Sequence, residues 1–382
     1  MTGHFKDQIL RVGGLAAALF GAALLLGAYC PPLMDWMTVA SDEIGEAYRN
    51  TKIRQFREPI PDPPPRLPES AYVDAAQARV YTIGDSFFWM RLGYHDFPTQ
   101  LQLELKEPVV HLGHRHNVNP VRAVKYVGGD PQQKRVVVLS TVERYIRETF
   151  DEPYELHPQI QSGDGANRVS YTTRARQLRR WMFLDLEKRL QYLLEYNHLS
   201  FFFASHWATF SYNAFGTVDD WAGLIADGEI FNAESASRTS IRGSFAPVSE
   251  KEIIQIATNI SRARDELLTT YNTDLVVMLI PNKITLHLEH AEHPYNELIP
   301  RLTRALRERG VPCVDLYEDY QEADVPLYYR SDSHWNTAGR QVALRKLIPL
   351  LHERLSEPAS RDGATRVEQA LQHTDSFSPS GL

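Results

Sequence analysis

The sequence predicts an α/β protein with a doubly wound, mostly parallel sheet. Short apolar runs rich in Val, Ile and Leu are typical of buried parallel strands, and amphipathic helical stretches separate or follow them. This alternation favours helices on both faces of one sheet, and ligands bind such sheets beyond the carboxyl ends of the strands. The predicted strands are residues 79–83, 108–112, 135–140, 274–280 and 311–317.

Three long amphipathic stretches predict helices, at residues 174–196, 249–271 and 294–310. The last stretch ends at Gly310, directly before a predicted strand, and glycine suits the left-handed conformation that closes a helix there. Residues 151–248 interrupt the alternation, and we predict an insertion with a helical piece and long loops. Its segment "NHLSFFFASHWATFSYNAFG" is dense in aromatics, which indicates either local core or a face that stacks on sugar rings.

Size and composition limit the possible function classes. The 382 residues suffice for one large α/β domain or two ordinary ones. The formal net charge is −7, and the basic residues are scattered, which argues against nucleic acid as a partner. The two cysteines, Cys30 and Cys313, are too few for a disulfide framework or a cysteine metal site.

The N-terminal run "VGGLAAALFGAALLLGAYC", residues 12–30, is uncharged. A helix of roughly 18–20 such residues crosses a bilayer. Lys6 and Arg11 precede the run, which predicts a cytoplasmic N-terminus and an exported remainder. We therefore expect a single-pass anchor in the inner (cytoplasmic) membrane, with the rest of the chain in the periplasm. A cleaved signal peptide is the alternative, although no clean A-x-A site precedes Pro31.

The composition predicts four regions along the chain. Residues 1–30 form the membrane anchor, and residues 31–70 form a stalk. Within the stalk, the prolines of residues 57–70 favour an extended, semi-rigid spacer. We predict that residues 71–355 form the main α/β domain, including the insertion, and that the polar residues 356–382 form a flexible tail.

The stretch "VYTIGDSFFWM", Val80 to Met90, carries the first candidate functional residue. A strand that stops on Gly84 and presents Ser86 directly afterwards has the pattern of a strand-to-helix elbow that exposes a nucleophilic hydroxyl. A plain turn is the alternative, because Gly, Asp and Ser are common turn residues. We expect the neighbouring Asp85 to accept hydrogen bonds from local backbone N–H groups.

A second stretch, "YYRSDSHWNTAGRQ", supplies the partners that a nucleophilic serine needs. His334 precedes a predicted helix, and Asp332 lies two residues upstream of the histidine. The imidazole takes the hydroxyl proton, and the carboxylate holds the tautomer and orientation of the ring. A loop histidine that caps a helix is the alternative. The occurrence of Ser86 after the first strand and of this pair after the last strand favours a catalytic triad.

These motifs resemble those of the SGNH-hydrolase-like family of bacterial polysaccharide O-acetyltransferases, typified by AlgJ and AlgX. The resemblance covers residues 75–352, and the Asp-x-His-Trp motif is its most specific element. In AlgJ and AlgX this motif precedes the serine, whereas here the serine comes first, as in ordinary SGNH hydrolases. The stretches that carry the resemblance are "GDSFFW", "STVERYI", "LVVMLIPNK", "YNELIPRLTRALRERGVPCVDLY" and "LYYRSDSHWN".

The resemblance implies an α/β domain of the SGNH-hydrolase type with Ser86 as nucleophile, His334 as base and Asp332 as its orienter. The further candidate residues for the oxyanion hole or substrate binding are Gly113, Arg115, Tyr145 and Trp335. A glycine after a strand allows close backbone approach to an oxyanion. Arg115 and Tyr145 are the candidates for the donor that an asparagine supplies in other SGNH enzymes. Alternatively, Arg115 is a solvated loop residue, and Tyr145 is a core residue.

The stretch "HLGHRHN" suggests a metal site through His111, His114 and His116. Their alternation along one loop, with no carboxylate partner, disfavours that interpretation. The predicted chemistry needs no metal and no cofactor.

The motifs predict a serine enzyme, and the resemblance implies that it is extracytoplasmic and acetylates hydroxyls of an exported polysaccharide through an acetyl-serine intermediate. The resemblance implies a membrane-bound O-acyltransferase as the partner that supplies the acetyl group, and it allows contact with a polysaccharide synthesis or secretion complex. A glycan O-acetyl esterase of the same fold and a catalytically silent glycan-binding or assembly subunit are the alternatives.

Overall fold

The structure is a computed structural model in which the chain divides into two compact units. The first comprises Met1–Ile60 and Gly163–Asp219, and we call it the helical unit. The second comprises Pro61–Ser162 and Asp220–Leu382, and we call it the sheet unit. The residues that the structure describes are 2–39, 51–58, 75–88, 97–114, 119–128, 132–150, 185–225, 229–291 and 293–356.

The described strands all lie in the sheet unit, and the helices are distributed over both units. The strands are β1 (Val80–Gly84), β2 (Val109–His114), β3 (Arg135–Val142), β4 (Ala222–Ile225), β5 (Glu229–Asn232), β6 (Thr273–Ile280) and β7 (Cys313–Asp315). The helices are α1 (Thr2–Tyr29), α2 (Pro31–Met37), α3 (Phe97–Leu105), α4 (Pro120–Val127), α5 (Glu143–Phe150), α6 (Asp185–Tyr196), α7 (His198–Phe215), α8 (Glu250–Tyr271), α9 (Leu298–Glu308), α10 (Tyr317–Gln321) and α11 (Thr337–Ser356).

The main sheet is parallel, with strand order β2-β1-β3-β6-β7. The strands β4 and β5 form a separate antiparallel pair. Every residue of β3 and of β6 is buried, which is why both sequences read as continuous apolar runs rather than alternating ones. The predicted fold class is therefore confirmed, including each of the predicted strands.

The core of the sheet unit lies on both faces of this sheet. Val137 and Leu139 of β3 belong to a cluster with apolar residues of α4, α5, α8 and α9. Val136 and Val138 belong to a second cluster, which includes residues of α3 and α11. Because neighbouring strand residues point to opposite faces, the single apolar run of β3 supplies both layers of core. The result is a three-layer arrangement with helices on either side of the sheet.

Two of the predicted helices have close counterparts in the sheet unit. The stretch 249–271 forms α8, which Ser249 caps by accepting a hydrogen bond from the Glu252 N–H. The stretch 294–310 contains α9, and Gly310 adopts a φ of +69° directly after its end. The predicted left-handed glycine at this helix end is therefore confirmed.

The predicted insertion, residues 151–248, is described in part. Residues 151–184 lie outside the described residues, and with them the first part of the predicted helix 174–196. The remainder forms α6 and α7 of the helical unit and then β4 and β5 of the sheet unit. The proline-rich residues 59–74 and the tail 357–382 also lie outside the described residues, and the predicted region boundaries stay predictions.

The helical unit is built from α1, α2, α6 and α7. Leu24 and Ala28 of α1 pack with Leu193 of α6 in a buried apolar cluster, to which Met34 and Met37 of α2 contribute. The α1 stretch Val12–Tyr29 has a mean hydropathy of 1.9 and is long and apolar enough to cross a membrane. The C-terminal end of the apolar segment therefore packs against α6, whereas most of the segment is exposed.

Candidate active site

The candidate site lies at the carboxyl ends of β1 and β3. The chain passes from β1 to β2 on one side of the sheet and returns to β3 on the other side of β1, so the strand order reverses between β1 and β3. Such a reversal opens a crevice beyond the strand ends, where α/β proteins bind their ligands. Ser86 follows the end of β1 directly, as the sequence predicts.

The elbow after β1 is fixed by the carboxylate of Asp85. One carboxylate oxygen accepts a hydrogen bond from the Phe87 N–H at 3.1 Å, and the other accepts one from the Val142 N–H at the end of β3, also at 3.1 Å. The Phe88 N–H also donates to the Asp85 carbonyl at 2.9 Å. The predicted role of Asp85 as an acceptor for backbone N–H groups is confirmed. Its contact with β3 also fixes Ser86 relative to the centre of the sheet.

Gly84 leaves room for this turn. A Cβ atom at Gly84 would lie 2.6 Å from a ring carbon of Phe88, well inside van der Waals contact. The Phe88 ring is fully buried and stacks on Phe97 at a centroid distance of 4.7 Å, so it has no space to withdraw. Glycine is therefore required where the chain leaves the sheet.

Ser86, His334 and Asp332 form a continuous hydrogen-bonded series. His334 Nε2 lies 2.7 Å from Ser86 Oγ, and His334 Nδ1 lies 2.5 Å from Asp332 Oδ1. The same Asp332 oxygen accepts the backbone N–H of His334 at 2.9 Å. When Nδ1–H donates to the carboxylate, Nε2 carries no proton and accepts the serine hydroxyl proton. The structure thus brings together the three residues that the motifs single out, in the order that a base-activated nucleophile requires.

A tight hairpin presents His334 to the serine. Tyr328 and Trp335 form an antiparallel bridge, and the Tyr329 N–H donates to the His334 carbonyl at 3.1 Å. The side chain of Asn336 closes the hairpin, since its amide donates to the Tyr328 carbonyl at 3.3 Å. The backbone on either side of the histidine is therefore held by hydrogen bonds within the hairpin.

The hairpin sits directly against the start of α11. A Cβ atom at Gly339 would lie 2.4 Å from the Leu327 carbonyl oxygen and 2.9 Å from the Trp335 Cβ. The Tyr320 hydroxyl donates to the Gly339 carbonyl at 2.8 Å. This close backbone approach explains the glycine that follows the histidine motif in the sequence.

Aromatic rings support the imidazole from the apolar side. The Phe87 ring lies 4.8 Å from the His334 ring and 5.3 Å from Trp335, measured between centroids. Trp335 also stacks on Phe97 at 5.2 Å and is only 3% exposed. These contacts give Trp335 a packing role beside the histidine, and its suggested role in substrate binding stays a prediction.

A buried lysine anchors the hairpin to the end of β6. Lys283 Nζ donates to the carbonyl oxygens of Tyr329 and Arg330 at 2.8 and 2.9 Å, and it pairs with the Glu229 carboxylate at 3.0 Å. The Lys283 side chain is 1% exposed. A buried ammonium group needs such partners to offset its lost hydration. Lys283 therefore fixes the hairpin position without belonging to the triad.

A second buried polar group, Glu143, lies at the end of β3. One of its carboxylate oxygens accepts the Asn282 N–H at 2.9 Å and the Thr285 hydroxyl at 3.1 Å. The Asn282 side chain in turn accepts a hydrogen bond from Arg144 at 3.3 Å and donates to the Ser244 hydroxyl at 2.8 Å. Burial raises the pKa of Glu143 to about 7, although the hydrogen bond from the Asn282 backbone lowers it in part.

Sequence reasoning did not single out Lys283; the resemblance implied that the segment 143–145 faces the site, but no role was predicted for Glu143 or Arg144. A signal was available, because each follows directly on the carboxyl end of a predicted central strand, in "LIPNK" and "STVERY". Polar residues at that edge of a parallel sheet meet in space. The partners of Lys283 were not predictable, because they are backbone carbonyl groups, which every residue carries.

The remaining predicted residues lie at or near this edge. Gly113 has a φ of +132° at a bulge in β2 and pairs with Ile83 near the end of β1. Tyr145 packs against the core cluster that contains Phe87 and Trp335, and the Arg144 guanidinium lies 5.0 Å from its ring centroid. Arg115 lies outside the described residues. Their roles in the oxyanion hole or in substrate binding stay predictions.

Of the three histidines near the end of β2, the structure gives a side-chain contact for His111. His111 Nδ1 is 3.0 Å from the Thr82 hydroxyl, which places this ring against β1. His116 lies outside the described residues. Within the described ranges, no group of three His, Cys, Asp or Glu side chains is arranged to hold a metal ion.

The parallel α/β fold described above is that of an SGNH-hydrolase-like domain. Residues 241–376 match the family model for the SGNH hydrolase-like domain of acetyltransferase AlgX, so the predicted family resemblance is confirmed for this part of the chain. The matched part contains Asp332 and His334, whereas Ser86 precedes it. No curated protein and no solved structure matches the chain.

The raised pKa of Glu143 predicts a pH-dependent contribution to stability. The unfolded chain loses this proton near pH 4.5, whereas the folded protein keeps it until about pH 7. The stability that the protonated group contributes is therefore fully present below pH 4.5 and is lost as the pH rises towards 7. At 1.36 kcal/mol per pKa unit, the loss is about 3 kcal/mol.

The variant Glu143→Gln keeps the shape of the protonated carboxyl group and cannot ionise. We measure the free energy of unfolding of the variant and of the wild-type protein in urea by circular dichroism. The difference, variant minus wild type, should be about 3 kcal/mol larger at pH 7 than at pH 4.5. Glu308→Gln changes an exposed residue at the end of α9 and should follow the wild-type curve. If the free energies of unfolding of the wild-type protein and of Glu143→Gln changed in parallel with pH, the prediction would be wrong.

Proposed function

We propose that this protein is an extracytoplasmic O-acetyltransferase that acetylates hydroxyl groups of an exported polysaccharide. The observation that carries the proposal is the hydrogen-bonded series from Asp332 through His334 to Ser86. The match to the SGNH hydrolase-like domain of acetyltransferase AlgX supports acyl transfer as the reaction class. We also propose, rather than observe, that the acceptor of the acetyl group is a polysaccharide.

In the first step, Ser86 Oγ attacks the acetyl carbonyl carbon while His334 Nε2 takes the hydroxyl proton. Asp332 stabilises the imidazolium ion through its hydrogen bond to Nδ1. The tetrahedral intermediate then collapses, the bond to the donor's leaving group breaks, and His334 returns the proton to that group. The product of this step is acetyl-Ser86.

In the second step, a sugar hydroxyl replaces the leaving group. His334 Nε2 takes its proton, the sugar oxygen attacks the acetyl-serine carbonyl, and Ser86 Oγ leaves with the proton that His334 returns. We propose the backbone N–H groups of Ser86 and Gly113 as oxyanion donors, with Arg115 or Tyr145 as a further donor. Donors aimed at the developing oxyanion commonly contribute 10²–10³-fold to the rate.

An acetyl esterase would use the same acyl-enzyme and differ only in the second step, with water in place of the sugar hydroxyl. The geometry of Ser86 and His334 serves both nucleophiles equally, so the distinction depends on the acceptor. A catalytically silent glycan-binding subunit is a further alternative, against which the aligned triad argues.

We also propose that α1 is an uncleaved single-pass anchor in the inner membrane, with the rest of the protein in the periplasm. Leu193 of α6 is fully buried against Leu24 and Ala28, and Arg189 donates to the Ala28 carbonyl at 3.2 Å. Cleavage after α1 would expose this apolar surface of α6, which favours retention. Transfer outside the cytoplasm also needs a supply of acetyl groups, and a membrane-bound O-acyltransferase is the proposed partner.

Replacement of the nucleophile tests the catalytic assignment. Ser86→Ala should lower the hydrolysis of an activated acetyl ester by about 10⁴-fold or more, because it removes the covalent route. Chromophore release measures the rate, and circular dichroism checks the fold. Ser261→Ala on α8 is the matched control and should retain the wild-type rate. Wild-type activity of Ser86→Ala would favour the silent binding subunit.

Addition of a glycan acceptor separates the transferase from the esterase. A transferase should consume the ester faster when an oligosaccharide is present, and mass spectrometry should find the acetyl group on the sugar. The physical reason is that a bound hydroxyl outcompetes water for acetyl-Ser86. Release of acetate at a rate independent of every acceptor tested would make the esterase the better assignment. The same mixture with Ser86→Ala controls for uncatalysed transfer.

Reporter fusions test the proposed topology. Lys6 and Arg11 precede the apolar run, so alkaline phosphatase fused after Ser70 should be active because it folds only outside the cytoplasm. A fusion of the same reporter after Lys6, before the span, should be inactive. Activity of a cytoplasm-dependent reporter after Ser70 would contradict the proposed orientation and the periplasmic reaction.

A further inference from the structure

Helix α7 has an unusual composition for a helix on the surface of a soluble domain. Its 18 residues, "HLSFFFASHWATFSYNAF", include no Asp, Glu, Lys or Arg. Surface helices normally carry charged residues on the face that meets water. This composition alone is also compatible with a buried helix. The exposed fractions of the α7 side chains distinguish the two cases.

The outward face of α7 is more apolar than its inward face. Phe203 is 64% exposed and Trp207 is 69% exposed, and Leu199, Phe202 and Phe210 are also exposed. These residues follow a helical spacing and form one continuous stripe, which we call the aromatic stripe.

The inward face of α7 buries one large aromatic residue, Phe201, together with smaller and more polar groups. Ser205 is buried, and the Thr209 hydroxyl accepts a hydrogen bond from the Arg54 N–H at 3.0 Å. The Tyr212 ring packs edge-on against Phe56 at 5.4 Å. Segment 51–58 therefore covers this side of the helix. Its Arg54 guanidinium reaches to 5.8 Å from the Phe202 ring, and the rest of the aromatic stripe stays outward. Most of the large apolar side chains of α7 are therefore exposed, and exposed apolar patches of this kind mark interaction surfaces.

The start of α7 is linked to the short helix α2, which follows the candidate membrane span in the chain. Leaving α1, the chain forms α2 and then pairs with the junction between α6 and α7, where Thr38 and Asn197 form an antiparallel bridge. The His198 ring contacts the Trp36 carbonyl at 3.2 Å, and the Trp36 side chain is 76% exposed. The start of α7 therefore lies beside the end of α2, which follows the apolar span in the chain.

Lipid is the occupant that fits these observations. Trp and other aromatic residues concentrate at the membrane–water boundary, and an apolar helix face binds there while the opposite face stays polar. Ser, His and Asn residues interrupt α7, and α1 is the only described helix apolar enough to cross the bilayer. A position along the membrane surface suits α7 better than a position across it.

We propose that α7 lies in the bilayer interface, with its aromatic stripe inserted at the boundary between headgroups and acyl chains. The helical unit then attaches to the membrane twice, through the span of α1 and along α7. This attachment does not depend on the acetyltransferase reaction. It follows from the surface chemistry of the helical unit alone.

The test measures the surroundings of the aromatic stripe in the full-length chain. Cys30→Ser and Cys313→Ser remove the native thiols, and single cysteines at Phe203→Cys or Trp207→Cys carry an environment-sensitive fluorophore. The protein is reconstituted into vesicles of phosphatidylcholine and phosphatidylglycerol. Nitroxide groups on the lipid chains quench a probe in the bilayer, and iodide quenches a probe in water. Ile254→Cys on α8 is the control, because this residue is exposed in the sheet unit.

We expect lipid nitroxides to quench the probes at 203 and 207 several-fold more strongly than the probe at 254, and iodide to show the opposite order. Equal iodide quenching at all three positions would place the stripe in water and overturn the proposal. Protection of 203 and 207 from both quenchers would also overturn it, since a second copy of the chain or another protein would then cover the stripe. Circular dichroism of each variant confirms the fold, and Phe210→Cys replaces any variant that does not fold.

Discussion

The contact between Ser86 Oγ and His334 Nε2 is the interaction on which the proposed chemistry depends. It joins residues 248 positions apart in the chain, at a distance of 2.7 Å. A hydrogen bond of this geometry survives only if both sides are held rigidly, because a side chain that is free to rotate pays conformational entropy to make it. Much of the sheet unit serves this requirement. The elbow after β1 fixes the serine, and the hairpin before α11 fixes the histidine.

The two supports use the same principle, a buried charged group that binds backbone. Asp85 accepts N–H groups from its own turn and from the end of β3, and Lys283 donates to two carbonyls of the hairpin. A buried side chain that binds backbone groups at a strand end or in a hairpin offsets their desolvation as well as its own. Glu143 and Asn282 extend this arrangement along the same edge of the sheet.

The helical unit obeys a different constraint. Its interior is small and partly polar, whereas its outward surfaces on α1 and α7 are apolar. Water penalises that arrangement, and a bilayer favours it. An enzyme that modifies an exported polymer with a membrane-derived acetyl group gains from such attachment, because donor and acceptor both occur at the membrane surface in the proposed reaction.

The sequence by itself determined the strands of the parallel sheet, the elbow at Ser86 and the Asp-x-His pair, since apolar periodicity and turn chemistry are local properties. It also placed Asp85 correctly as a backbone acceptor. The partners of Lys283 and Glu143 emerged only from the tertiary structure, because carbonyl and amide groups carry no sequence signal. The aromatic segment of α7 was open to two interpretations, core or sugar-binding face. Helical spacing in the sequence does not indicate which face of a helix a neighbouring segment covers. In the structure, residues 51–58 pack against one face of α7, and the aromatic face of α7 therefore points outward.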